Sequence, residues 1–135
     1  MRILCLDIGD VRIGVAVSDP LGISTNGVET HLSKGSEADA TYFSELAKKL
    51  NAELILLGLP LNMDGTEGDR AEKVRAFGAL LSERSGLPVD YEDERLTTVE
   101  AEEMLIEAGL SRQERRKVID KVAAEIILRC YLSKK

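Results

Sequence analysis

Between residues 3 and 19 the apolar positions fall into two short β-favouring runs, Ile3 to Leu6 and Ile13 to Val17, separated by Gly9-Asp10-Val11-Arg12. Turn residues between two such runs predict a β-hairpin. The period then changes several times. Gly22 to Leu32, with Ile23 and Val28 among polar residues, predicts a third, shorter strand. Ser36 to Asn51 predicts a helix, because Ala40, Phe43, Leu46, Ala47 and Leu50 share one face and Ser36 or Asp39 can cap its start. Leu54 to Leu57 is wholly apolar, the pattern of a strand covered on both faces. A helix follows from about Arg70 to Glu83, with Ala71, Val74, Phe77 and Leu81 inward, and then a fifth strand over Val89 to Glu92.

Two more helices close the pattern. Thr97 to Glu100 and Ser111 to Glu114 each match a capping box. Behind the first, Ala101, Met104, Leu105 and Ala108 make an apolar stripe; behind the second, Ile119, Val122, Ala123, Ile126, Ile127 and Cys130 recur at helical spacing. Three strands in series, followed by alternating strand and helix, specify an α/β fold. Its five-stranded mixed sheet has the first three strands antiparallel and helices on both faces. The 135 residues suit a single domain, 1–135. With no run of the roughly 20 apolar residues that a bilayer requires, the chain reads as soluble and cytoplasmic, with no membrane partner. Cys5 and Cys130 both fall in apolar patterns and are expected as buried, reduced thiols. His31, the only histidine, is expected at a surface strand end.

Candidate chemistry rests on carboxylates. Asp7 stands where the first strand leaves the core, and a lone charge is costly to bury there without solvent, a hydrogen-bonding partner or a metal ion. Asp93 and Glu94 end the fifth strand, and ligand sites in such sheets lie outside the carboxyl ends of strands. Asp120 shares a helix side with Ala123, Ala124 and Ile127, small enough residues to let that helix approach the sheet. Convergence of these acids would call for a hard, oxygen-bound cation such as Mg²⁺. Each acid also has a structural reading: Asp7 in the hairpin turn, Asp93 or Glu94 with Arg95, Asp120 with Lys117 or Lys121. The hairpin alone fits either a nuclease that gathers carboxylates around metal or an ATP-binding fold that wraps it around phosphates. A second lobe to enclose nucleotide would exceed this length.

Charge adds one asymmetry. The net is −6, yet residues 110–135 hold eight Lys and Arg against three Asp and Glu, a local +5 that leaves −11 for the rest. A basic terminal helix on an acidic body is either a phosphate footprint or a solvated face.

Four ordered segments carry a family resemblance: Leu6 to Asp19, Gly58 to Gly68, Asp93 to Thr98 and Lys117 to Ala124. In these the chain resembles the bacterial YqgF family, known both as pre-16S rRNA nucleases and as Holliday junction resolvases. The resemblance implies a ribonuclease H-like fold and a nuclease dependent on Mg²⁺ or Mn²⁺ that matures the 5′ end of 16S ribosomal RNA. It also implies a catalytic set of Asp7, Glu94 and Asp120, with Asp93 as an alternative metal ligand. Strand alternation puts Asp93 and Glu94 on opposite faces and leaves open which one meets the metal. Val11 stands where the family often has Lys, which leaves Arg12 as the phosphate contact of the first motif. Asn62, Thr66 and Arg95 are candidate substrate contacts, as are Arg115, Arg116 and Lys117 on the basic helix. In the alternative reading Asp64-Gly65 simply makes a turn and Gly58 lets two backbones approach. The expected partners are precursor rRNA, branched DNA as the alternative, and ribosome-assembly components, which a non-catalytic binding module would also meet. A monomer or homodimer is expected, and junction cleavage would require the dimer.

Overall fold

The first two apolar runs pair as antiparallel strands β1 (Ile3–Ile8) and β2 (Arg12–Ser18) in the computed structural model, which describes residues 1–95 and 97–134. The Gly9 amide donates to the Arg12 carbonyl across the turn. The third strand, β3 (Thr25–Leu32), pairs antiparallel with β2. It begins later than the periodicity predicts because the Asp19 carboxylate accepts from the amides of Ile23 and Ser24 and holds that stretch in a turn, with Ile23 exposed. After α1 (Ser36–Lys49), β4 (Leu54–Leu59) runs parallel to β1, and after α2 (Asp69–Ser85), β5 (Val89–Asp93) runs parallel to β4. The sheet order is β3-β2-β1-β4-β5, which brings the carboxyl ends of β1, β4 and β5 to one edge. Helices α3 (Thr97–Glu107) and α4 (Arg112–Ser133) complete the chain.

Both sheet faces are covered, which explains the unbroken apolar run of β4. Leu4, Leu6, Ile55 and Leu57 pack with Phe43 of α1 and with Val74 and Leu81 of α2. On the other face Ile3, Cys5, Leu54 and Leu56 pack with Ala124, Ile127 and Leu128 of α4. Truncating one such buried aliphatic side chain to Ala costs about 2–5 kcal/mol.

Helix α4 departs from the one-sided stripe that its sequence suggests. Ala124, Ile127, Leu128 and Tyr131 meet the sheet, while Ala123 and Ile126 meet Ala101 of α3, with Ile119 and Val122 at the margin. A helix sandwiched between a sheet and a second helix is apolar around much of its circumference. Cys130 falls on what remains and is exposed, contrary to expectation, whereas Cys5 is buried. The Ser111–Glu114 capping box forms: Ser111 Oγ accepts from the Glu114 amide and Glu114 Oε1 from the Ser111 amide. Of the box expected at Thr97–Glu100, Thr97 is already the first residue of α3, and its amide donates to the Glu94 carbonyl. At α1 the cap is Gly35, not Ser36 or Asp39. Asp39 is buried and its carboxylate accepts from Ser33 Oγ and the Lys34 amide and meets His31 Nε2. His31 is therefore largely covered rather than at the surface, stacked on Tyr42 with ring centroids 4.2 Å apart.

The tightest helix–sheet contact is at Gly14 in β2. A Cβ placed there would overlap the backbone carbonyl of Asp120, so only glycine lets α4 lie so close. Gly14→Ala is therefore expected to lift α4 from the sheet and cost about 1–3 kcal/mol or more, read as a lower urea midpoint.

Candidate functional site

Residues of β1 alternate between the two faces. Ile3 and Cys5 belong to the α4-side core, so Asp7 points to that side at the strand's carboxyl end. Its cross-strand partner is Gly14, against which the Asp120 backbone rests. One residue without a side chain thus brings the acid of α4 beside the acid of β1. The third acid arrives from the opposite direction. Glu94 follows β5 directly, and its carboxylate lies over Gly58 of β4, where a Cβ would collide with Glu94 Oε2 and with Ile127 Cδ1. Gly58 makes room for side chains, rather than for a second backbone as its sequence context suggests.

The electrostatics follow from crowding like charges in a half-buried place. Burial, then a hydrogen bond and the charge of Asp7, push the Glu94 carboxyl up to about 9, with Arg70 opposing. Asp7 is raised as well, chiefly by burial, while its hydrogen bond to Glu94 and the charge of Arg70 act the other way. The two therefore titrate as a coupled pair sharing a proton. Asp120 is raised by burial and by the Asp7 charge, with Arg12 opposing. Burial first, and then the charges of Asp7, Glu94 and Glu92, push the Cys5 thiol up. The donor set is oxygen only, which suits Mg²⁺ or Mn²⁺ rather than zinc. Among the described residues no three His, Cys, Asp or Glu side chains close around a single point.

The neighbouring acid is turned away. Asp93 accepts from the Arg95 amide and from Arg95 Nε, both at 2.9 Å, and Arg95 holds its carboxyl below the usual range. Arg95 also donates to the Met63 carbonyl at 3.1 Å, tying the loop after β4 to the end of β5. Within that loop Asn62 Nδ2 donates to Thr66 Oγ1, and Thr66 donates to Asp64 through both its amide and its hydroxyl. The side chains of Asn62, Thr66 and Arg95 thus engage this loop and Asp64 and Asp93, not Asp7, Glu94 or Asp120. Arg115 donates to Glu102 and to the Leu110 carbonyl, which fastens α4 to α3. Arg12 stands near Asp120, and Arg116 and Lys117 are exposed without a salt bridge among the described residues. Two contributors escaped the sequence reading: Gly14, whose signal is a glycine inside a strand facing an acid, and Arg70 in the first turn of α2.

The RuvX profile, described as Holliday junction resolvase, matches residues 1–134. The chain belongs to the RuvX family. Among its relatives, a Heliobacterium modesticaldum protein named "Putative pre-16S rRNA nuclease" is 50% identical over 135 residues, covering 100% of this chain and 91% of the relative. A Streptococcus sanguinis protein of the same name is 49% identical over 138 residues, covering 99% of each. The RuvX fold is ribonuclease H-like, as the four motifs imply. Solved structures with this architecture include T. thermophilus RuvC in complex with Holliday junction substrate (TM-score 0.62, 12% identity, 99% of this chain and 95% of that one). Fowlpox virus resolvase with Holliday junction DNA is another (TM-score 0.63, 13% identity, 99% and 98%).

The raised carboxyls make stability depend on pH in a defined direction. Because the fold favours protonated Glu94, the metal-free folded state binds more protons than the unfolded one between the ordinary value of 4.5 and about 9. Stability from this group therefore falls as pH rises through that window. Glu94→Gln is expected to melt higher than wild type at pH 8, by several degrees at roughly 4 °C per kcal/mol, and equally near pH 4. Equal melting at both pH values would show that the acids are not in conflict.

Proposed function

We propose that this chain is a Mg²⁺- or Mn²⁺-dependent endonuclease that hydrolyses phosphodiester bonds of structured RNA and acts in the cytoplasm at the 5′ end of precursor 16S rRNA. The observation that carries the reading is the meeting of Asp7, Glu94 and Asp120 at the strand ends, all with raised affinity for a proton. A site that disfavours its own negative charge favours a bound cation. The full-length similarity to relatives named for pre-16S rRNA supports RNA as substrate.

In this reading Asp7 and Glu94, once freed of their shared proton, would hold the cation, and Asp120 would complete the negative wall from α4. A divalent ion bound there supplies the positive charge that activates water and stabilises the departing oxygen. Asp93, locked by Arg95, contributes by keeping the end of β5 and the loop at Met63 in place. Arg12, whose charge acts on Asp120, is in this reading the phosphate contact of the hairpin. Arg116 and Lys117 extend the positive surface along α4, one turn before Asp120. Ribosome-assembly components are the macromolecular setting this implies.

Wild type is expected to cut precursor rRNA only with Mg²⁺ or Mn²⁺. Asp7→Asn and Asp120→Asn are each expected to reduce the rate by on the order of 10²-fold or more, as loss of a charge-stabilising group does elsewhere. Activity surviving both substitutions would refute the site. A four-way DNA junction in parallel assays the resolvase alternative, which would be favoured by symmetric junction cleavage from a dimer with precursor rRNA left intact.

Charge reversal at Arg116 and Lys117 is expected to weaken RNA binding and to flatten its dependence on salt, because fewer counterions are then released from the RNA. A salt slope equal to that of wild type would mark the start of α4 as merely solvated.

A further inference from the structure

Beside the carboxylates, on the α1–α2 side of the same sheet edge, lies a cavity of ≈ 230 Å³. Its walls come from the hairpin turn (Gly9, Asp10), the start of α1 (Ser36), the loop after β4 (Pro60) and the first turns of α2 (Arg70, Lys73). We infer that this cavity is a binding site for an internal phosphodiester of the RNA strand next to the bond being cleaved, held by Lys73, Arg70 and the open amino end of α1. The inference rests on the nuclease reading for its substrate, but not for its binding chemistry.

The cations of α2 divide in a telling way. Arg75 is paired with Glu67, and Arg84 with Glu37, as surface arginines commonly are. Arg70 and Lys73, three residues apart on one helix side, have no salt bridge among the described residues, and both line the cavity. Two unpaired cations converging on a hollow are a ready receptor for an anion. Helix α1 adds to this field. Its cap, Gly35, has no side chain to satisfy the first-turn amides, whereas α4 is closed by Ser111 and Glu114. The acids in the wall do not cancel the effect. Asp39 already accepts from Ser33 and the Lys34 amide and meets His31, and Asp10 is exposed at the turn.

Size and lining indicate which part of a nucleic acid would enter. The cavity is smaller than the roughly 300–1,000 Å³ of sites that enclose a small molecule. Its one aromatic, Phe77, is buried in the core and offers no free face for stacking a base. A phosphate needs neither. Arg70 also acts electrostatically on both Asp7 and Glu94, so the cavity and the carboxylates are neighbours that one strand can span.

Lys73 is the informative position, because none of the three acids responds to it. Binding is measured by fluorescence anisotropy across salt in an Asp7→Asn background, with the same short single-stranded RNA bearing either a 5′-hydroxyl or a 5′-phosphate. Lys73→Gln is expected to weaken both RNAs equally, by several-fold, and to reduce the log–log salt slope by about 0.7, the value of one single-strand phosphate contact. Lys73→Arg should restore binding. Lys48→Gln, which removes an equal charge at the far end of α1, should leave it unchanged. In the otherwise wild-type enzyme the same Lys73→Gln change should raise KM with little change in kcat. If Lys73→Gln matches Lys48→Gln, the inference is wrong. A loss confined to 5′-phosphorylated RNA also overturns it, since the site would then take a terminal phosphate. The same binding shifts, found where the wild-type protein with Mg²⁺ or Mn²⁺ cuts no RNA, would retire the nuclease reading and leave the phosphate site standing.

Discussion

The contact between the α4 backbone and Gly14 is the constraint from which most of this architecture follows. A helix can press onto a sheet this closely only where the strand beneath has no side chain. That approach sets the depth at which Ala124, Ile127 and Leu128 enter the core, and α3 in turn rides on α4 through Ala101, Ala123 and Ile126. It also fixes Asp120 beside Asp7, since Gly14 is the cross-strand partner of Asp7. Packing and chemistry therefore share one residue. Loosening the contact would disturb the α4-side core and separate the acids at once.

Holding those acids together opposes folding. A carboxyl raised by burial and by its neighbour's charge, as Glu94 is, destabilises the folded protein at neutral pH, and a domain has typically only about 5–15 kcal/mol of total stability to set against that. The fold tolerates this because the acids sit at the rim of a sheet whose interior is apolar on both faces, with Leu4, Leu6, Leu56 and Leu57 wholly buried. Cations placed just outside, Arg70 and Arg12, soften the repulsion without pairing directly. Direct pairing would silence the site, as Arg95 does for Asp93. Adjacent acids thus acquire opposite characters from their surroundings. Asp93 is a lowered, satisfied carboxylate that braces a loop, and Glu94 is a raised one with room above Gly58.

What was legible in the sequence was what local pattern determines. The hairpin, the fully apolar β4, the Ser111 capping box and the parallel–antiparallel sheet follow from periodicity, turn residues and crossover rules. Features decided by distant parts of the chain were not legible. Asp39 looks like a helix cap, but a largely covered histidine on β3 and a serine after it draw its carboxylate away. The periodicity of α4 suggests one stripe, because nothing local announces that α3 will cover a second flank. The candidate acids were readable as residues near strand ends. The distinction between Asp93 and Glu94 was not, because it depends on Arg95 reaching back and on Gly58 in the neighbouring strand β4. Likewise the side chains of Asn62 and Thr66 looked available for substrate until the turn closed around Asp64.

A net charge of −6 and a polyanionic substrate are reconciled by where charge is left unpaired. Over a Debye length of about 10 Å at 0.1 M salt, a nucleic acid responds to nearby groups rather than to the total. Among the described residues, Arg75, Arg84, Arg95 and Arg115 are tied to acids and serve the fold. Arg12, Arg70, Lys73, Arg116 and Lys117 form no salt bridge among the described residues, and they come from the hairpin, the first turns of α2 and the start of α4. An acidic protein can in this way present a positive rim around a negative centre. Under the proposed reading such a rim would attract a phosphate backbone and the acidic centre would repel it until a cation neutralised the acids, so a bound cation would favour substrate binding at this edge.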